Sequence, residues 1–530
     1  MSEKVQKAGG MSGRTSQEPG VGEVVCDESQ LARHLGSWEI ICIAWNVINV
    51  FGGLSYIFVV GFSAGGLPTI FYGFLGSTAC TLCTMSVLAE CASMFPTAGG
   101  AYHFSTFLCP EKYRRYVGYP VGWLNYLGWV FTVAACAAIQ TGLTFSLVIM
   151  CDPTYVVSGR WQYFLVYVAW AVVAWVINLF FLKGFHVVEN LGCIISMLGF
   201  VGFTITLLAR APKADASYSS SAMAVVIGLY NCVVVWVSLD AVCHLAEEVP
   251  QPARIIPRTL YIIVATQLTV GVVWILTVAF SVTDMNAVIG SATGVPIVEL
   301  IRLALKSDAA AITFNVMLLV NFFAALTGCL TSASRQGYAL ARDGGLFFKK
   351  SLVKISTRSQ VPSRSVDACF GLTLLIGLVY LFSSSGFNAI LGTEAVFMLL
   401  SYGKSYRASP SLMMLIFGRS QLKNTPFNLG RLGYPICVIS VIYTLAVVVL
   451  VMFPGVHPIT ASNFNYNILL TAIFAVLCVA IWLIDGRKSY KPPSFIEFVE
   501  HVATDTTEFL GEGKQETGPE ESGQVEALEN

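Results

Sequence analysis

The feature that most constrains this chain is a recurrence of uncharged apolar runs, each long enough to cross a lipid bilayer. A hydrocarbon core of about 30 Å needs roughly 17 to 25 consecutive apolar residues in a helix. Twelve such runs are legible among the 530 residues, at 38–60, 67–92, 119–150, 161–181, 187–209, 222–243, 259–282, 309–334, 366–382, 387–416, 434–453 and 466–485. Charged residues make up only 12% of the chain, against about 25% in a soluble globular domain. The chain is therefore expected to be an all-α integral membrane protein. A polar, disordered tail over 1–37 precedes a twelve-helix domain over 38–485, and a disordered tail over 486–530 follows it. That last tail carries ten acidic residues from 497 onward and few apolar ones, too little apolar surface to offset the entropy of ordering.

The first 37 residues lack an apolar core, so no cleavable signal is expected and the first span itself directs insertion. Lys and Arg placement sets the orientation, because cytoplasmic loops retain positive charge. With the N-terminus inside, 26 of the 31 basic residues fall on the inner side and 5 on the outer, which predicts that both tails are cytosolic. The balance of 31 basic and 31 acidic residues offers no basic surface for a nucleic acid. No metal-ligand cluster, phosphate-binding glycine loop or cofactor motif stands out, so neither a cofactor nor an enzymatic reaction is expected. The "CTLC" pair, Cys80 and Cys83, reads as apolar packing. In the outer loop 283–308, apolar positions 297, 300, 301, 304 and 305 share one helical face, as in a helix lying on the membrane or capping an outer vestibule.

Two stretches break the apolar pattern. In "NVINVFGGLSY", residues 46–56, the adjacent Gly52 and Gly53 stand midway along the first span, between Asn49 and Ser55. Glycine costs about 1 kcal/mol in a helix interior relative to Ala, and a weakened helix survives in lipid only beside protein or water. Taken alone, the pair equally fits close helix packing. The second stretch, "LYNCVVVWVSLDAVCHLAEEVPQPARIIP", puts Asp240 inside the sixth span; an intramembrane carboxylate is by default a functional candidate. First and sixth spans are equivalent positions in two five-helix repeats, the arrangement in which transporters place substrate between discontinuous helices. Trp236 shares a helical face with Asp240 and offers a cation–π surface, and Asn125 and Trp129 share a face of the third span.

The segments "SMFPTAGGAYHFSTFLCPEKYRRYVGYPVGWLNYLGW", "HLAEEVPQPARIIPRTL", "TSASRQGYALARDGGLFF" and "FNLGRLGYPICVISVIYTLAVVVLVMFP" give the chain, over about residues 34–493, a resemblance to the fungal amino acid/choline transporters of the amino acid/polyamine/organocation superfamily. The resemblance implies a LeuT-like fold, two inverted five-helix repeats plus two further helices, working by alternating access on a small amine-bearing substrate: an amino acid such as 4-aminobutyrate (GABA), or choline. Its glycine-containing break falls on Phe51, Gly52 and Gly53, with Phe51 in place of the first glycine. Its sixth-helix acid falls on Asp240 and its helix-breaking glycine on Ser238. The implied substrate-binding set is Asn49, Phe51, Gly52, Gly53, Ser55, Asn125, Trp129, Trp236, Ser238 and Asp240. Amides freed near Gly52 and Gly53 would take a substrate carboxylate, and Asp240 would face the amine.

Glu247, Glu248, Arg335, Arg342 and Asp343 are expected to form inner-gate ion pairs. The coupling ion stays open between proton and sodium: the fifth span has Glu189 and no Lys, while Thr327, Thr331 and Ser332 offer hydroxyls. The implied location is multi-pass in the plasma membrane, with a vacuolar or other internal membrane as alternative. A departure comes in the tenth span, where "LLSYGKSYRASPSLMMLIFGR" sets Lys404 and Arg407 in an apolar half-span. It keeps a second function in view, a nutrient sensor of the same fold that binds ligand without transporting it.

Overall fold

The computed structural model describes residues 35–213, 232–282, 284–291, 293–356, 360–382, 386–403, 410–419, 425–452 and 466–493. Among them the regular elements are helical. The first part runs α1 (Ser37–Ile48), α2 (Val50–Met94), α3 (Ala101–Leu108), α4 (Glu111–Cys151), α5 (Arg160–Phe180) and α6 (Leu182–Arg210). After two short 3₁₀ segments, Val234–Trp236 and Leu239–Glu248, come α7 (Pro252–Ala279), α8 (Pro296–Leu305), α9 (Asp308–Arg342), α10 (Ser363–Gly377), α11 (Gly386–Gly403), α12 (Pro410–Phe417), α13 (Gly433–Met452) and α14 (Asn467–Ile481).

Nine stretches of the described residues are long and apolar enough to cross a membrane, with Ile390–Tyr402 as a shorter apolar helix. The other expected spans depart for local reasons. The sixth lies outside the described residues up to 231, and its remainder is 3₁₀ rather than α. The ninth is broken at Leu378 between α10 and a short helical turn, Val379–Phe382, and the tenth divides into α11 and α12, with Lys404 and Arg407 in the intervening 404–409, outside the described residues. Two spans share α2: Gly66 takes φ 73°, a left-handed conformation open to glycine because it has no Cβ, and it separates the apolar stretches Ser37–Phe58 and Gly66–Met94.

Burial orders the helices around a centre. The stretch Ser37–Phe58 is 78% buried, whereas Asn467–Ser489 is 6% buried and sits at the periphery. α4 runs for 41 residues, about 60 Å at 1.5 Å per residue, and packs along α9 and α11; α2 packs along α7. The outer-loop helix forms as α8; of its expected face Ile297, Leu300, Ile301 and Ala304 are buried and Leu305 is half-buried. It packs on α9 and α2, so it caps the bundle instead of lying apart on a lipid surface. At the other end of the chain, Tyr490 is buried and the Lys491 amide donates to Asp343 O at 2.9 Å; residues 1–34 and 494–530 of the two expected tails lie outside the described residues.

Candidate functional site

The first break falls on Asn49, three residues before the glycine pair. Asn49 has φ 45° and ψ 51°, which ends α1 and starts α2. Asn adopts this left-handed conformation more readily than most residues because its short side chain hydrogen-bonds locally, and here Asn49 Oδ1 accepts from the Gly52 amide at 3.1 Å. Asn49 O also accepts from the Gly53 amide at 2.8 Å. The amides expected to be free for a carboxylate are thus capped within the turn.

The two glycines serve close approach. A Cβ on Gly53 would lie 2.8 Å from Val235 Cγ1, and one on Gly52 would lie 2.6 Å from Asn321 Oδ1 and 2.7 Å from Asn49 Nδ2. Phe51 points elsewhere, into an aromatic cluster with Trp274, Phe200 and Phe314 at centroid distances of 4.8, 5.9 and 6.3 Å. Ser55 donates its hydroxyl proton to Phe51 O at 2.7 Å.

The second break is at Ser238, whose φ −88° and ψ 37° depart from helical values. Ten residues of 3₁₀ helix follow, an unusually long run for a geometry that seldom exceeds three or four. Trp236 is buried and stacks on Phe74 at 5.8 Å. Asp240 is fully buried, and its oxygens are occupied by side chains of the protein itself. Asn125 Nδ2 donates to Oδ2 at 2.8 Å, Tyr402 donates to Oδ1, and His244 Nε2 stands 3.0 Å from Oδ2. His244 Nδ1 faces Ala98 O at 2.8 Å and so carries a hydrogen, since a carbonyl only accepts. Trp129 Nε1 donates toward His244 Nε2 at 2.9 Å. Asn125, Trp129 and Asp240, chosen from sequence as pocket walls, therefore form a closed polar frame that ties α4 to the unwound sixth segment and α11.

Between the two breaks lies a cavity of about 90 Å³. Asn49, Gly53, Tyr56, Val235 and Ser238 line it from the broken segments, Thr132 and Cys136 from α4, Phe322 from α9, and Leu391 and Glu394 from α11. Of the ten expected substrate residues, Asn49, Gly53 and Ser238 reach this lining. Glu394 is the one acidic residue among the described residues that line it. Thr132 is the side chain within hydrogen-bonding reach of that carboxyl, and its own hydroxyl already donates to Gly128 O at 3.0 Å.

The expected ion pairs are formed at one end of the molecule. Arg335 grips Glu248 with Nε at 2.6 Å and Nη2 at 3.3 Å, both residues buried. Arg342 meets both oxygens of Glu247 at 3.0 and 3.2 Å. Asp343 Oδ2 accepts from His103 Nε2 at 2.8 Å, and Thr97 Oγ1 lies 2.8 Å from His103 Nδ1. Burial and the neighbouring Arg342 and His244 hold His103 well below the usual histidine range, so the ring is neutral, donating to Asp343 and accepting from Thr97. Of the three hydroxyls offered for sodium, Thr327 donates to Glu189 Oε1 at 2.9 Å and Thr331 to Asn178 Oδ1 at 2.6 Å, while the buried Ser332 Oγ has no hydrogen-bond partner. Asn46 adds a bond to Glu189 Oε2 at 2.8 Å.

Sequence reasoning did not single out Glu394, Tyr402, His244 and Tyr56. For Glu394 a signal was present: it is the single carboxylate within 387–403, masked by the neighbouring "SYGKSY" irregularity. Tyr402 belongs to that irregularity, and it is structural, since its hydroxyl reaches both Val237 O at 2.8 Å and Asp240.

Residues 35–474 match the sequence profile of the family described as amino acid permease. Among characterised sequences, the chain is 28% identical to a choline transporter of Saccharomyces cerevisiae over 88% of its own length and 84% of that protein's. It is 26% identical to a swainsonine transporter of Arthroderma benhamiae, covering 92% of this chain and 98% of the relative. An amino-acid permease of Arabidopsis thaliana, BAT1, is 22% identical over 88% and 94% of the two chains.

Proposed function

The chain belongs to the amino acid permease family, and on that premise we propose that it is a secondary transporter carrying a small amine-bearing nutrient by alternating access. It is a multi-pass membrane protein and a transporter of amino-acid-like substrates. The finer reading, an amino acid such as 4-aminobutyrate or choline as cargo, rests above all on the cavity enclosed by the two breaks. A site bounded by unwound segments lets each repeat close on the cargo from its own side.

In this reading Asn49, Gly53 and Ser238 contact the cargo, while Asn125, Trp129, Trp236 and Asp240 hold the unwound sixth segment in register. Glu247, Glu248, Arg335, Arg342 and Asp343 close one gate. The distribution of basic residues supports cytosolic termini, which makes that gate the inner one and the plasma membrane the natural location. Proton coupling is favoured over sodium in this reading, since the Thr327 and Thr331 hydroxyls already have partners.

The test is uptake of radiolabelled choline and 4-aminobutyrate into transporter-deficient cells expressing the full chain, with and without a protonophore. Saturable uptake of either, abolished by the protonophore, is expected. Saturable binding with no uptake of any amine would instead support the sensor.

A further inference from the structure

We infer that Glu394 reads the positive charge of the cargo, and that the cavity selects a small organic cation bearing a neutral hydroxyl, an amino alcohol, over a zwitterionic amino acid. The inference rests on the transport reading for the identity of the site, and its own content is the charge selection.

Asp240 cannot take up a cargo amine in this conformation. Both of its oxygens are taken by Asn125, Tyr402 and His244, and the residue is fully buried outside the cavity lining. Glu394 is the opposite case. It faces the cavity, is the one acidic side chain among the described lining residues, and its hydrogen-bonding neighbour Thr132 already donates to a carbonyl. An ionised carboxylate at membrane depth is costly, and a cation entering beside it offsets that cost. Across the cavity, Tyr56 and Phe322 stand edge to face with centroids 6.4 Å apart, giving π surface of the kind that receives ammonium groups.

The other pole of the site is polar and uncharged. Among the described residues no Lys, Arg or His lines the cavity, and the Gly52 and Gly53 amides are capped by Asn49. Next to the lining residue Asn49, and beside Gly52, two buried amides converge: Asn321 Oδ1 and Asn49 Nδ2 each lie within 2.7 Å of where a Gly52 Cβ would stand, although Gly52 and Asn321 do not themselves line the cavity. Asn49 Nδ2 and both polar atoms of the Asn321 side chain have no hydrogen-bond partner. A neutral hydroxyl both donates and accepts, and so uses such amides fully. A carboxylate would use only the donors, would bring an uncompensated charge into a low-dielectric cavity, and would be repelled by Glu394.

The experiment uses the purified full-length chain in lipid nanodiscs and measures equilibrium binding of radiolabelled choline in competition with glycine betaine, ethanolamine and 4-aminobutyrate. Choline and betaine share the trimethylammonium head and differ by hydroxyl against carboxylate. The wild-type protein should favour choline over betaine by at least tenfold. E394Q should weaken choline binding at least tenfold while reducing the choline-to-betaine preference toward unity, and E394D should retain part of both. The preference ratio is measured on one sample, so lost folding does not mimic the result.

An unchanged ratio in E394Q overturns the inference, as does a wild-type protein that prefers betaine or 4-aminobutyrate or binds none of the cations. Uptake of choline is measured separately in proteoliposomes. Selective binding without flux would reject the transport reading and leave the charge selection standing.

Discussion

Replacing Gly53 by Ala tests whether the two unwound segments must touch for the protein to work. The added methyl would sit 2.8 Å from Val235 Cγ1 and 3.5 Å from its Cβ, whereas carbon atoms pack at about 3.5 to 4.0 Å. Val235 is buried and branched at Cβ, so its χ1 is stiff and the strain passes to the backbone. Overpacking of this kind costs about 1 to 3 kcal/mol, a factor of roughly 5 to 150 in an equilibrium constant. Because Gly53 and Val235 both line the cavity, the effect should fall on cargo affinity more than on assembly. Equilibrium choline binding in nanodiscs should therefore weaken by about one order of magnitude in Gly53→Ala. Val235→Ala removes the opposing methyls, and the double variant should recover most of the loss, a coupling visible in a double-mutant cycle. Wild-type affinity in Gly53→Ala, or additive losses in the double variant, would refute the reasoning.

Three further outcomes are expected. Arg335→Gln should destabilise the protein by about 3 to 5 kcal/mol, because it strands a buried Glu248 carboxylate; Glu248→Gln combined with it should recover much of that loss in thermal unfolding, and equal melting of the single and double variants would contradict the pairing. His103 is neutral in the fold and its folded pKa lies below the unfolded one, so the unfolded state binds more protons between the two values and stability should decline as pH falls below about 6.5. Melting curves at a series of pH values should show that decline in the wild type, and a smaller one in His103→Gln. Asn49→Ala loses the cap on Gly52 and the residue type that tolerates φ 45°, together about 2 kcal/mol; Asn49→Gly should recover the backbone part, and identical melting of both variants would argue against strain at this turn.

The sequence by itself determined the class, the spans and the existence of two weak points. Lipid forbids unsatisfied backbone, so length and hydropathy leave little choice but helices, and an interruption such as "NVFGG" or "VSLD" must lie in a protected interior. The acid–base spacing of Glu247 and Glu248 against Arg335 and Arg342 was likewise legible, because such groups do not remain unpaired near a membrane. Only the tertiary structure decided which residue breaks the first helix: glycine weakens a helix anywhere, but the left-handed turn settled on Asn49 because its side chain caps Gly52. It also decided which acid stays available. Asp240 and Glu394 are each a lone carboxylate in an apolar span. What separates them is the set of donors brought from other helices, since Asn125 and Tyr402 lie 115 and 162 positions from Asp240 in sequence, distances over which local pattern carries no information and packing alone makes contact.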